Sequence, residues 1–330
     1  MRVSWRALAL PMAILVYAGA AWLVAPDKYP GLLKYYFDQV TILPILIGIG
    51  LPVAAVFMRP RAPLSYVVEL LKDRGVRLLL VALLFCIGVT GFTTFKVSIP
   101  QFVPFYADAL FADIDAALHF GNPGEWAHAI VPDWAQYPLG YLYGPIWFVL
   151  WFGLLAFVAL HRDKEFRQRY FWSMALTMCL LGTVAATVFS SVGPIFYDDF
   201  VDAERFAALQ KAISESAIGD YMAQASGYLL ANFHAGTGAA GTGISAMPSM
   251  HLAIVTLNAC MLTNLNRRVG IGAWIYVALI QLGSVYLGWH YAIDGYFSIA
   301  AVSAIWWAVS RVQLWLGARP RQAIAAPLPA

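Results

Sequence analysis

Eight apolar stretches, at roughly 7–25, 40–58, 76–95, 138–160, 170–192, 250–265, 270–288 and 293–315, punctuate a chain of 330 residues. A helix needs about 20 mostly apolar residues to cross ~30 Å of hydrocarbon at about 1.5 Å per residue. All eight fit that requirement, the sixth being the shortest. The charge content points the same way. Only 12% of the residues are charged, half of the ~25% typical of soluble domains, so the chain cannot coat a soluble globule with polar surface. Disordered, collagen-like and disulfide-scaffold classes are excluded with it. The expected fold is an all-α polytopic membrane bundle of about eight transmembrane helices, without internal repeats.

The start, Met1-Arg2-Val3-Ser4-Trp5-Arg6, leads into an apolar run that continues to Ala25. That exceeds the apolar core of a secretory signal, about 7–15 residues, and reads as a retained first span, with cleavage at the A-x-A-like Ala18-Gly19-Ala20 as the alternative. Cys86, Cys179 and Cys260 all fall inside apolar runs, where thiols act as small hydrophobes. Their spacing makes neither a disulfide framework nor a C-x-x-C metal site.

Basic residues orient a membrane protein, since Lys and Arg accumulate in cytoplasmic segments. With the N-terminus inside and eight alternating spans, 16 of the 21 basic residues fall on the cytoplasmic side, among them Arg74, Arg77, Arg167, Arg169 and Arg319. Five, Lys28, Lys34, Lys96, Arg205 and Lys211, fall outside. Both termini are therefore expected in the cytoplasm, with segments 96–137 and 193–249 on the outer (periplasmic or lumenal) face. These hold Asp108, Asp113, Asp115, Asp198, Asp199 and Asp202. Over Tyr106–Phe120 the apolar residues Leu110, Phe111, Ile114 and Leu118 alternate with acids, a spacing that fits either a short helix on the membrane surface or a simple loop. No basic tract interleaves with aromatics, which excludes nucleic acid as a partner.

Gly236-Thr237-Gly238-Ala239-Ala240-Gly241 is a literal G-x-G-x-x-G. It lacks the preceding strand and βαβ context of a dinucleotide site, leaving a hinge beside a site or a plain loop. Asp198, Asp199 and Asp202 read as a solvated acidic loop, and no H-E-x-x-H or Cys/His set supports zinc. His119, His128, His161 and His234 read as surface or interfacial residues.

Two stretches carry chemistry. In Pro248-Ser249-Met250-His251 a proline and a serine precede an apolar run, the pattern of a helix start. A serine and unpaired N–H groups at a helix N-terminus attract anions, and His251 lies in the first turn. In His290-Tyr291-Ala292-Ile293-Asp294 the histidine and aspartate are four apart, one turn of a helix. The carboxylate there fixes the imidazole tautomer and raises the basicity of its other nitrogen. Between the histidines the chain crosses inward, turns at Asn264–Arg268 and returns, so both reach the outer face at similar depth.

These stretches resemble the second and third motifs of the type 2 phosphatidic acid phosphatase superfamily. Met250 stands where the usual Pro-Ser-Gly-His has glycine, Gly283-Ser284 stands where Ser-Arg is usual, and the first motif, Lys-x6-Arg-Pro, is absent, with Pro52 eight positions before Pro60 in the lysine place. Those departures, and Ser191-Val192-Gly193-Pro194-Ile195-Phe196-Tyr197, resemble the inositol phosphorylceramide synthase branch with its related sphingolipid headgroup transferases. The resemblance implies a six-helix core within residues 76–330, with residues 1–75 as additional N-terminal helices. It implies that His290 is the nucleophile, Asp294 its orienter, His251 the general acid and base, and Ser249 a ligand of the phosphoryl oxygens. It implies no metal and no organic cofactor, a lipid phosphate or phospholipid donor, and a lipid alcohol or water as acceptor. Lys96 is the available substitute for the missing basic residues, or else a snorkelling lysine. Lipid phosphotransfer, hydrolysis of a lipid phosphate, and a multi-pass transporter or scaffold using the His-Asp pair as a proton relay are the readings open to the sequence.

The orientation is directly checkable. Cysteines placed at Asp113 or Ala239 are expected to react with a membrane-impermeant thiol reagent added to intact cells, and one at Lys164 is not. Labelling confined to Lys164→Cys inverts the topology.

Overall fold

The computed structural model describes residues 5–40, 43–201, 204–236, 239 and 241–317; Arg2, Asp202, Gly238, Arg319 and Arg321 lie outside the described residues. Every regular element among the described residues is helical. Helices α1 (Trp5–Val24), α2 (Tyr29–Val40) and α3 (Leu43–Met58) precede the long α4 (Pro63–Phe102). Three short helices follow, α5 (Asp108–His119), α6 (Pro123–Ile130) and α7 (Asp133–Tyr143), and then α8 (Pro145–Leu160) and α9 (Lys164–Cys179). A π-helical turn at Leu180–Ala185 continues α9 into α10 (Ala186–Val188). After α11 (Pro194–Phe200), α12 (Ala207–Glu215) and α13 (Gly219–His234), the chain closes with α14 (Met250–Leu265), α15 (Arg267–Tyr286) and α16 (Ala292–Gly317).

Five helical stretches are long and apolar enough to cross a membrane: Pro63–Phe102, Asp133–Leu160, Lys164–Val188, Arg267–Tyr286 and Ala292–Gly317. Two shorter apolar helices, Leu8–Val24 and Met250–Leu265, accompany them. These seven coincide with seven of the eight apolar stretches, and α3 covers the eighth. Three details depart from the simple span pattern. Helix α4 has 40 residues and runs unbroken through residue 75, about 60 Å at 1.5 Å per residue and twice the hydrocarbon thickness. The stretch 138–160 is broken at Gly144 (φ −99°, ψ −101°), immediately before Pro145, because proline restricts the residue ahead of it and opens the next helix. Helix α2 falls between expected spans, its amphipathic sequence packing on α4.

Helix starts follow their caps. Asn122 accepts from Gly124 N ahead of α6, Asp163 from Glu165 N and Phe166 N ahead of α9, and Asn266 from Arg268 N and Val269 N ahead of α15. Each side-chain oxygen satisfies amides that the first turn leaves without partners. At the end of α8, Arg74 and Arg167 donate to the carbonyls of Leu160 and His161 at 2.6 Å. Cations thus complete the C-terminal carbonyls there.

Helix α14 forms the centre, packed on α15, α16, α8 and α9. Its hairpin with α15 is tight. A Cβ on Gly270 would lie 2.6 Å from the Thr263 Cα, whereas one on Gly272 meets nothing within 4 Å. Overpacking against backbone typically costs ~1–3 kcal/mol. Gly270→Val is therefore expected to lower the melting temperature followed by circular dichroism in detergent, and Gly272→Val to leave it nearly unchanged.

Candidate active site

The hairpin returns the chain to the end from which α14 began, and the two motif histidines line one cavity of about 180 Å³. His251 occupies the first turn of α14. Ser249 is the N-cap, its side chain accepting from Leu252 N at 3.5 Å. The His251 ring is stacked on Tyr143 (centroids 4.3 Å, 15°) and lies 4.3 Å from the Trp147 ring, and Trp147 Nε1 donates to the His251 carbonyl at 3.2 Å. The break at Gly144 makes this cradle, since Tyr143 ends α7 and Trp147 stands in the first turn of α8.

His290 sits outside a helix, in the irregular link between α15 and α16. The four-residue spacing therefore places it ahead of Asp294 rather than one helical turn away on the same helix. Asp294 is in the first turn of α16 and reaches back: its Oδ2 accepts from Tyr291 N at 3.0 Å and lies 3.3 Å from His290 Nδ1. This is one half of a capping box, the acid reaching back to the amide ahead of its helix, with the imidazole as an added partner. The contact on Nδ1 leaves Nε2 as the nitrogen for chemistry. The two motifs also meet through backbone, Ser249 N donating to the Asp294 carbonyl at 3.5 Å.

Lys96, from the last turns of α4, lines the same cavity as His251 and His290, and has no acidic partner among the described residues. Gly241, the last residue of the glycine-rich segment, and Gly243 just beyond it line it too. Gly243 has φ +105°, and a Cβ there would meet Lys96 Cγ at 3.0 Å, so glycine is what lets the backbone lie against this lysine. The segment thus borders the site as a packing element. The structure brings together all five site residues of the sequence reading: Ser249, His251, His290, Asp294 and Lys96. Asp198 and Asp199 are not among the cavity residues, and the described residues contain no group of three or more His, Cys, Asp or Glu side chains arranged to hold a metal ion.

What sequence reasoning missed is the support from α5. The segment is a helix, but Asp108 and Asp115, read as its polar face, are buried (1% and 3% exposed), while Leu110, Ile114 and Leu118 are exposed. Asp108 accepts from Val192 N, Gly193 N and the Tyr291 hydroxyl, all within 3.0 Å. Asp115 accepts from Ala292 N at 2.8 Å and Ile293 N at 3.1 Å, the first amides of α16. Burial pushes both carboxyls above the usual carboxylate range, opposed by these amide bonds. Asp113 alone behaves as a surface acid, pairing with Arg205 at 2.7 Å. The available signal was the seven-residue separation, two helical turns, which puts Asp108 and Asp115 on one face. The clasp extends further. Ser191 accepts from Ala246 N and Met247 N at 2.9 and 3.1 Å, so the irregular segment entering α14 hangs from the segment Asp108 holds. Gly193 (φ +88°) lies against the Trp289 carbonyl, 2.6 Å from where its Cβ would be.

His119 and His128 are likewise partnered. His119 Nε2 is 3.0 Å from the Tyr296 hydroxyl. His128 stacks on Tyr286 at 4.0 Å with Nε2 2.9 Å from its carbonyl, and burial lowers its pKa. Both are joints between short helices and the bundle.

Comparison with known proteins gives one result. The family model described as the PAP2 superfamily matches residues 109–308, a span that contains Ser249, His251, His290 and Asp294 and excludes Lys96. No curated protein and no solved structure matches the chain.

The clasp makes a stability prediction. Asp115→Ala strands two buried amides and Asp108→Ala strands three buried donors, each unsatisfied group costing about 1–3 kcal/mol. Both variants are expected to melt well below the parent, and Asp115→Asn, which keeps an acceptor oxygen, to melt between the two. Asp113→Ala, losing an exposed pair worth about 0–1 kcal/mol, is expected to melt with the parent.

Proposed function

The chain belongs to the PAP2 superfamily, and from that premise we propose that it is an integral-membrane lipid phosphotransferase working through a phosphohistidine, of the inositol phosphorylceramide synthase-like type. Membership and the apolar helices fit a membrane phosphatase or phosphotransferase. The observation that carries the finer reading is the pairing of His290 Nδ1 with buried Asp294 Oδ2 at 3.3 Å beside a second histidine on the same cavity.

In the proposed reaction His290 Nε2 attacks the phosphorus of a lipid phosphate or phospholipid donor. The P–O bond to the leaving group breaks, and protonated His251 gives that oxygen its proton. Asp294 holds the His290 ring in the attacking tautomer and stabilises its positive charge. Ser249, the first amides of α14 and Lys96 carry the phosphoryl oxygens, which gain negative charge as the bond forms. His251, now neutral, takes the proton from an incoming lipid alcohol, whose oxygen attacks phosphorus and releases His290. Water in the acceptor's place gives hydrolysis by the same steps. Neither metal nor organic cofactor enters the cycle. The 16:5 distribution of basic residues supports a site on the outer face with both termini in the cytoplasm, and we take residues 76–330 as the catalytic unit and the helices before it as additional, with α4 continuous across that boundary.

The test is incubation of purified protein with phosphorus-labelled lipids, with and without ceramide and diacylglycerol. A new labelled lipid is the expected product; free phosphate or a labelled soluble headgroup moves the assignment to hydrolysis. His290→Ala is expected to abolish turnover and an acid-labile, base-stable protein label. His251→Ala and Asp294→Asn are expected to lose about 10²–10⁴-fold, the usual worth of general acid–base groups. With a nitrophenyl phosphodiester, whose leaving group needs little protonation, His251→Ala is expected still to take up label and to release it slowly. Label that survives His290→Ala but not His251→Ala with every substrate reverses the two roles.

A further inference from the structure

The site at His251 and His290 opens into a second, larger cavity that phosphoryl transfer by itself does not use. It has a volume of about 580 Å³, begins at Lys96, Met250 and His251, and runs between α4 and α8 to Leu78 and Ala156. Its α4 wall includes Leu78, Phe85, Val89 and Phe92, at three-, four- and seven-residue separations that keep them on one helix face. Trp151 and Leu155 of α8 stand opposite. Lys96, at the end shared with the histidines, is the one Lys, Arg, Asp or Glu among the described residues that line it. A long apolar space with a cation only at its reactive end matches a molecule with a hydrocarbon chain and an anionic head.

Length narrows the choice. From Leu78 to Lys96 the cavity follows α4 for about 27 Å at 1.5 Å per residue, nearly the whole ~30 Å of hydrocarbon rather than half of it. A zigzag of ~1.5 Å bonds opened at about 111° advances ~1.25 Å per carbon, so this path takes an extended chain of about 20 carbons. Two features of the walls shape it. In the π-helical turn, Gly182 leaves room for Phe92, since a Cβ there would lie 2.4 Å from the ring and 3.3 Å from Met250 Sδ. Helix α2 contributes Tyr35, Tyr36 and Gln39 to the lining. It is held by the hydrogen bond between the Tyr36 hydroxyl and Thr93 Oγ1 at 2.7 Å and by the Cys86 thiol, which donates to the Tyr36 carbonyl at 3.7 Å.

We propose that this cavity binds the hydrocarbon chain of a single-chain lipid phosphate, laid along α4 with its phosphate at Lys96 and His251. The inference rests on the phosphate site proposed above and adds the substrate's shape: one long chain, not two. Helices α2 and α4 precede the matched residues 109–308, so one wall of the cavity lies outside the matched span and the facing wall, with Trp151, Leu155 and His251, lies within it.

Binding is read without catalysis, in the full-length His290→Ala protein held in amphipol, with alkyl phosphates of 8 to 20 carbons brominated in mid-chain. Bromine quenches nearby indoles, and Trp147 and Trp151 both line the cavity. Saturable quenching is expected for the 18- and 20-carbon compounds, at least tenfold weaker affinity for the 8-carbon one, and a reduced signal in Trp151→Phe, where Trp147 remains. Ala82→Trp, which fills the middle of the cavity, is expected to abolish saturable quenching while keeping the parent melting curve. In otherwise unmodified protein, Ala82→Trp is expected to lower kcat/KM for the 20-carbon phosphate at least tenfold and to leave a nitrophenyl phosphodiester unaffected. Quenching that persists in Ala82→Trp, that ignores chain length, or that a two-chain phosphatidate produces equally well overturns the proposal. Saturable, length-dependent quenching with no phosphoryl product from any lipid leaves this site standing and removes the catalytic reading instead.

Discussion

Two buried carboxylates on one short helix hold the working end of this protein together. A bundle that buries irregular backbone must find a partner for each N–H it exposes, because no water is at hand inside to take that place. Asp108 and Asp115 meet that demand for two breaks at once: the link after α10, through Val192 and Gly193, and the start of α16, through Ala292 and Ile293. Neither carboxylate is tolerable there without the amides, and the amides are no better off without the carboxylates. Mutual need of this kind fixes position more firmly than apolar contact, which is indifferent to small slides.

The site geometry follows from that clasp by short steps. Ser191, next to the amides Asp108 holds, carries the irregular segment that leads into α14 and His251. Tyr291, bonded through its hydroxyl to Asp108, is the residue after His290, and its amide shares Asp294 Oδ2 with the His290 ring. Both histidines are thus placed by contacts leading back to α5. Aromatic stacking supplies the remaining restraint, with Tyr143 and Trp147 pinning the His251 ring from either side of the Gly144 break. Groups fixed before a reaction need no reorganisation during it, which is where most electrostatic stabilisation originates.

Departures from regular helix gather around the two cavities. The break at Gly144, the π-helical turn at Leu180–Ala185, the positive-φ glycines at 193, 241, 243 and 288, and the long reach of α4 all border them or the segments beside them. Others lie away from the cavities, at Phe120 and Gly121 after α5 and at Gly236 after α13. Irregular backbone is affordable within a membrane bundle where it lines a cavity and its polar groups are met, and π turns commonly mark such places.

The sequence by itself determined the helical class, the apolar stretches and the meeting of the two motifs, because each depends on local periodicity or on counting residues along a hairpin. Twenty apolar residues make a crossing whatever surrounds them, and equal crossings return a chain to one side. It also identified Ser249, His251, His290, Asp294 and Lys96 as residues to watch, all of which line or adjoin one cavity. Only the tertiary structure decided that His290 precedes its helix, that Asp108 and Asp115 face inward while Leu110 and Ile114 face out, and that Tyr143 and Trp147 share the His251 ring. An aspartate has the same local propensity whether it meets solvent or a pair of distant amides. What separates the two outcomes is an interaction across more than 80 residues of chain, from Asp108 to Val192 and on to Tyr291, and such a contact leaves no periodic trace in the sequence.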